Sequence, residues 1–142
     1  MNNFGFYILI LGFILSIYSS TLFILGFYKE NRTMILSATT SYYLSILMIF
    51  VSCFSLITLF LSNDFSNIYV FNHSSLDMNK ALTFVAFYAG NEGSLLYILL
   101  VHAILSGSLL FFAPNETKSK LAYSCGILSL ISSFYIFVLL FF

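Results

Sequence analysis

"FGFYILILGFILSIYSSTLFILGFYKENR", Phe4 to Arg32, is the stretch whose reading decides the fold. From Phe4 to Tyr28 there is no charged residue, and the run closes on Lys29, Glu30, Asn31 and Arg32. A hydrocarbon core of roughly 30 Å needs about 20 apolar residues in an α-helix, so this run is long enough to cross a bilayer. It has neither the basic n-region nor the small-residue cleavage site of a secretory signal, and its apolar part is longer than an h-region. It reads as a first membrane span that is kept.

The rest of the chain follows the same solvent. Of 142 residues 61% are hydrophobic and only 7% charged, whereas a soluble domain carries about 25% charge. Three more runs are long enough to span: Met34 to Leu61, Gly93 to Ala113 (ended by Pro114, which cannot continue a helix) and Leu121 to Phe142. The expected class is therefore all-α, a polytopic membrane protein with one membrane domain over 1–142. Its spans are 4–28, 34–61, 93–113 and 121–142.

Short loops set the expected orientation. Loop 29–33 holds Lys29 and Arg32, and loop 114–120 holds Lys118 and Lys120. Loop 62–80 holds two aspartates, His73 and Lys80. The positive-inside rule puts the first two loops on the cytoplasmic or matrix side. Both termini and the loop 62–80 then face outward.

Between that loop and the third span lies "ALTFVAFYAG", 81–90. It is apolar but too short to span, and so reads as an interfacial or re-entrant helix over 81–89. Gly90 and Gly93 bracket Asn91 and Glu92, which suggests a break in the backbone. Irregular backbone at membrane depth persists only where protein or trapped water satisfies it.

Few residues could carry chemistry. Net charge is zero and no basic patch could hold a polyphosphate backbone, so nucleic acid is not an expected partner. Cys53 and Cys125 each sit in an apolar run and read as buried thiols. Glu92 has two readings: a carboxylate favoured near the positive end of a helix, or a group contacting a ligand or partner, since charges at span ends by default suggest function. His102, near the middle of the third span, is a candidate metal or heme ligand. It could equally hydrogen-bond Ser106, four residues on along the same face. The Ser, Thr and Tyr residues from Ser37 to Tyr43 can join helices without any substrate. The triplets at Asn31, Asn72 and Asn115 match a glycosylation pattern by chance, and no hydrolase, metalloprotease or phosphate-loop motif is present.

Two stretches taken together resemble a known family. "NDFSNIYVFNHSS" at 63–75, followed by "YAGNEGSLLYILL" at 88–100, is similar to the N-terminal part of the CcmF family. That is the large membrane subunit of the cytochrome c heme lyase, within the heme-handling superfamily. The resemblance covers nearly the whole chain in the family's order. It implies heme b in an assembled complex, with Asn91, Glu92, Gly93, Ser94 and His73 contacting heme or a partner. It implies the remaining CcmF-like chains, other maturation subunits and apocytochrome c as partners, in a mitochondrial or bacterial inner membrane.

The chain also departs from that pattern. Tyr88 stands where the family usually has Trp, Asn91 where it often has His, and the Trp-rich heme motif is absent, for the chain has no Trp. The resemblance therefore implies a natural split subunit, not catalytic alone, that helps present heme for attachment to apocytochrome c. The alternatives are a structural accessory subunit of a respiratory or transport complex, and a small transporter half that dimerises.

Overall fold

The computed structural model describes residues 4–75 and 78–141. The side chains of Lys80 and of residues 115–119 lie outside that description. Asp77 of the expected outer loop, Phe142 of the expected fourth span, and the Lys118 charge therefore fall outside the described residues. Within them the chain is helical: α1 (Phe4–Tyr28), α2 (Arg32–Leu61), α3 (Ile68–His73), α4 (Lys80–Ala89), α5 (Asn91–Phe112) and α6 (Asn115–Phe141). Four of these, α1, α2, α5 and α6, are long and apolar enough to cross a membrane.

Capping chemistry sets the helix ends. Arg32 opens α2 because Asn31 Oδ1 accepts the amides of Thr33 at 3.0 Å and Met34 at 3.4 Å, an N-cap that satisfies two orphan donors. Asn31 thus has a structural use unrelated to its triplet. Both α1 and α2 end by turning one residue left-handed, Glu30 and Asn63, each at φ 50°. The next amide then reaches back five residues, Asn31 to the Gly26 carbonyl and Asp64 to the Leu59 carbonyl, each at 3.0 Å. This is the Schellman arrangement, which usually places glycine where Glu30 stands. Helix α6 starts directly after Pro114, whose fixed φ suits the head of a helix. The polar residues before Leu121 accordingly extend that helix.

Helix α1 packs along both α2 and α6. Its buried face is mostly small: Gly12, Ser16, Ser19, Ser20 and Gly26, with Phe23 among them. Between apolar helices in lipid there is no hydrophobic drive to associate, so close backbone approach and interhelical hydrogen bonds hold them together. The serines supply those bonds. Ser19 Oγ donates to the Ala38 carbonyl of α2 at 2.8 Å and Ser20 Oγ to the Gly126 carbonyl of α6 at 2.9 Å. Ser129 Oγ of α6 donates back to the Ser16 carbonyl at 2.8 Å, and Ser52 Oγ of α2 to the Gly5 carbonyl at 3.2 Å. Of the run Ser37 to Tyr43, Thr39, Thr40 and Ser41 bond back to carbonyls of their own helix, whereas Tyr42 reaches across to Ser106 of α5.

Two apolar clusters fill the bundle. One gathers Phe23, Ile35, Tyr42, Leu110 and Cys125 toward the α1–α2 turn; the other gathers Leu9, Ile49, Cys53, Phe60 and Leu99 toward the opposite end. Both cysteines are free and buried, one in each cluster. Rings of Phe27 and Tyr123, 5.6 Å apart, seat the end of α1 beside the early turns of α6. At the other end, the starts of α1 and α5 meet the ends of α2 and α6, and there α3 and α4 cover the bundle.

Candidate functional site

The site is built from the loop upward. After α2, the Asp64 carboxylate accepts the Ser66 amide at 3.1 Å and also the Ser66 hydroxyl. Those bonds, the hydroxyl first, hold the Asp64 carboxyl below its usual range. Asn67 then caps α3, its Oδ1 accepting the amides of Tyr69 at 2.9 Å and Val70 at 3.4 Å. Val70 is fully buried and pins this six-residue helix to the bundle.

On α3, Tyr69 and His73 lie one turn apart with ring centroids 4.4 Å from each other. His73 Nδ1 is 3.0 Å from the Tyr69 carbonyl. A carbonyl can only accept, so Nδ1 carries the proton and, in the neutral ring, Nε2 the lone pair.

Tyr69 reaches into the junction between α4 and α5. Its hydroxyl donates to the Phe87 carbonyl at 3.0 Å and accepts the Gly93 amide at 3.1 Å. These are groups that helix ends leave without intrahelical partners. The break itself is Gly90, extended at φ −87° and ψ 166°, after which the Ser94 amide bonds the Gly90 carbonyl at 2.9 Å and α5 begins. Packing is tight at both glycines. A Cβ on Gly90 would stand 2.5 Å from the Tyr69 hydroxyl and 2.7 Å from His73 Nε2, and one on Gly93 would overlap the Phe87 carbonyl. Burial raises the Tyr69 phenol above its ordinary value, and the nearby Glu92 carboxylate adds to that.

The structure thus gathers His73 and Gly93 around Tyr69, while Ser94 donates its hydroxyl to the Asn91 carbonyl at 2.9 Å. Asn91 and Glu92 lie in the first turn of α5 and are exposed. Gly90 is the N-cap, without a side-chain cap bond, so Glu92 can act on the helix only through the dipole. Among the described residues its carboxylate has no hydrogen-bonding or ion-pair partner. It lines a cleft of about 260 Å³ together with Asn67 and Tyr69.

His102 belongs elsewhere. It lies 11 residues along α5 from Asn91, about 16 Å at 1.5 Å per residue. Its Nε2 donates to the Leu128 carbonyl of α6 at 3.1 Å. The expected bond between its side chain and Ser106 is replaced by one from Ser106 Oγ to the His102 carbonyl at 2.6 Å. Ser106 also receives the Tyr42 hydroxyl at 2.6 Å, so α2, α5 and α6 are joined in mid-bundle. No three His, Cys, Asp or Glu side chains among the described residues gather as a metal site.

The two histidines are not brought together. His73 Nε2 rests against Gly90, His102 Nε2 is occupied by a carbonyl, and the two imidazoles are on separate levels of the bundle. What the site does offer is a rigid junction with an available carboxylate at a cleft. Sequence reasoning missed Tyr69 as its keystone. The signal was present in Asn67 as a helix cap and in the Tyr69–His73 spacing of four residues.

The chain is similar to the cytochrome c-type biogenesis protein NrfE of Haemophilus influenzae. The two are 28% identical over 136 residues, which make up 95% of this chain and 21% of that protein. The chain therefore spans about a fifth of the length of this curated relative. No family model matches it, and no solved structure matches it.

Proposed function

We propose that the chain is a membrane subunit of a cytochrome c-type biogenesis machinery, a split part of a CcmF-like heme lyase. It contributes four spans and an outer surface to the assembly that presents heme to apocytochrome c. The observation that carries this reading is the similarity to NrfE along 95% of the chain. Supporting it, the two stretches with the family's pattern are physically one object: Tyr69 from the first bonds Phe87 and Gly93 across the start of the second.

In this reading the junction end faces outward in an inner membrane, as the loop charges imply. Asn91, Glu92, Gly93, Ser94 and His73 form part of the surface beside heme or the apocytochrome. Partner chains complete the iron ligand set in this reading, since His102 Nε2 is already bonded to the Leu128 carbonyl. Heme itself brings the iron chemistry, and the protein brings position and enclosure. The chain is not catalytic alone.

The test is a gentle-detergent pull-down of tagged chain, followed by mass spectrometry and a heme absorption spectrum. Co-purification of CcmF-like chains bearing the Trp-rich motif, together with heme, is the expected result. Recovery with an unrelated respiratory or transport complex and no heme would make the chain a structural accessory subunit instead.

A further inference from the structure

The cleft that Glu92 lines lies at the junction end, between α1, α2 and α5, with Asn67, Tyr69 and Leu139 also on its walls. Its walls include Phe6 and Leu9 of α1, Leu56 of α2 and Leu96 of α5, while Ser52, Ser55, Asn67, Tyr69 and Glu92 supply its polar groups. On α2 the lining extends from Leu59 back to Ser52, a depth of about 10 Å at 1.5 Å per residue. Every wall element contributes one of its ends, so in a bilayer the mouth stands at headgroup level and the floor in hydrocarbon. An occupant must therefore be amphipathic, with an apolar limb that follows the leucines. Its head must suit a carboxylate that has no counter-charge among the described residues.

We propose that this cleft holds one amine-bearing phospholipid. The ammonium of an ethanolamine headgroup donates to Glu92, and an acyl chain lies along Leu56 and Leu96. Charge complementarity selects the head. An anionic glycerol headgroup brings no cation to the carboxylate, and a choline headgroup brings charge without an N–H donor, so it forfeits the charge-assisted bond. This inference stands on the cleft and does not rest on the biogenesis reading.

The experiment uses the purified full chain in detergent. It is exposed to mixed micelles of dioleoyl-phosphatidylethanolamine, -phosphatidylcholine or -phosphatidylglycerol, and retained lipid is counted by native mass spectrometry. The expected result is one phosphatidylethanolamine per chain, retained about fivefold over either of the others, the ratio an interfacial ion pair supports. Glu92→Gln, at an exposed position, should abolish that preference while leaving helicity unchanged by circular dichroism. Ser55→Phe, which fills the cleft, should lower retention of all three lipids. Equal retention of the three by the native chain, an unchanged preference in Glu92→Gln, or full retention in folded Ser55→Phe would each overturn the proposal. Because the readout is lipid retention, its failure leaves the pull-down result untouched, and the reverse holds as well.

Discussion

The hydroxyl of Tyr69 accepts the amide of Gly93 at 3.1 Å, joining residues 24 apart in the chain. Through that one oxygen a six-residue helix outside the long spans fixes where α5 starts. The same oxygen holds the Phe87 carbonyl in the last turn of α4 at 3.0 Å. The direction in which Asn91, Glu92 and Ser94 are presented therefore depends on a side chain from the preceding loop. Any partner that reads this surface reads a junction, and not the end of an isolated helix.

Tyr69→Phe keeps the ring against Phe60, whose centroid lies 5.5 Å away, but removes the hydroxyl. Two backbone groups then lose a partner, and an unsatisfied buried group costs about 1–3 kcal/mol. The variant should lose at least that much in a reversible detergent-denaturation titration. It should also show faster amide exchange at Gly93 and Ser94, with α1 unaffected. Native-like protection at Gly93 would show that the hydroxyl is not what holds the junction.

The phenol also confers an alkaline limit. Its ionisation is raised in the folded state, by burial first and by Glu92 as well. The folded protein therefore keeps the phenol proton to a higher pH than the unfolded chain. Below about pH 10, the ordinary tyrosine value, both states are protonated and the junction has its full stability. As pH rises from there toward the raised folded value, the unfolded state releases its proton first and stability falls. Native protein minus Tyr69→Phe, measured from pH 8 to 11.5, should isolate this loss. A flat difference would mean that the hydroxyl ionises as freely in the fold as in the unfolded chain.

The two glycines should not be equally sensitive. A methyl on Gly93 meets the Phe87 carbonyl, which is backbone, whereas one on Gly90 meets the ends of the Tyr69 and His73 side chains. Side-chain ends can turn aside, but a helix carbonyl cannot without moving its turn. Gly90→Ala should fall in the usual range for overpacking, about 1–3 kcal/mol, and Gly93→Ala at or above its upper end. Chemical denaturation of both variants in one detergent gives the order, and a reversed order would place the tight contact at the wrong residue.

The helical class and the four long apolar helices were legible because hydropathy acts over a whole turn-rich window, and charges or Pro114 mark its ends. The interruption near Gly90 was legible too, because two glycines around polar residues interrupt an apolar run. Helix α3 was hidden, since six residues give no periodic signal and its stability comes from the Asn67 cap and buried Val70. Tyr69 was hidden for a related reason: its partners Phe87 and Gly93 are 18 and 24 residues away, and nothing local specifies such distances. Ser19, Ser20 and Ser129 resembled many other serines in apolar runs until the helices were laid side by side. His102 shows the same limit, because its nearest polar neighbour in sequence, Ser106, is not what its imidazole bonds.

A second tyrosine hydroxyl, in mid-bundle, gives a contrast that tests the accounting. Tyr42 donates to Ser106 Oγ at 2.6 Å, and Ser106 Oγ itself donates to the His102 carbonyl. Tyr42→Phe removes the bond to Ser106 but leaves Ser106 with its carbonyl partner and Ser132 with the Leu128 carbonyl, and the Phe ring can keep its edge contact with Phe23 at 6.2 Å. Interhelical hydrogen bonds of this kind average about 0.6 kcal/mol and reach about 1.7. Tyr42→Phe should therefore cost less than Tyr69→Phe, although Tyr42 is the more deeply buried of the two. Unfolding both variants side by side decides the matter. If Tyr42→Phe proves the more damaging, then depth in the bundle, and not the loss of a partner by backbone groups, governs how much these hydroxyls contribute.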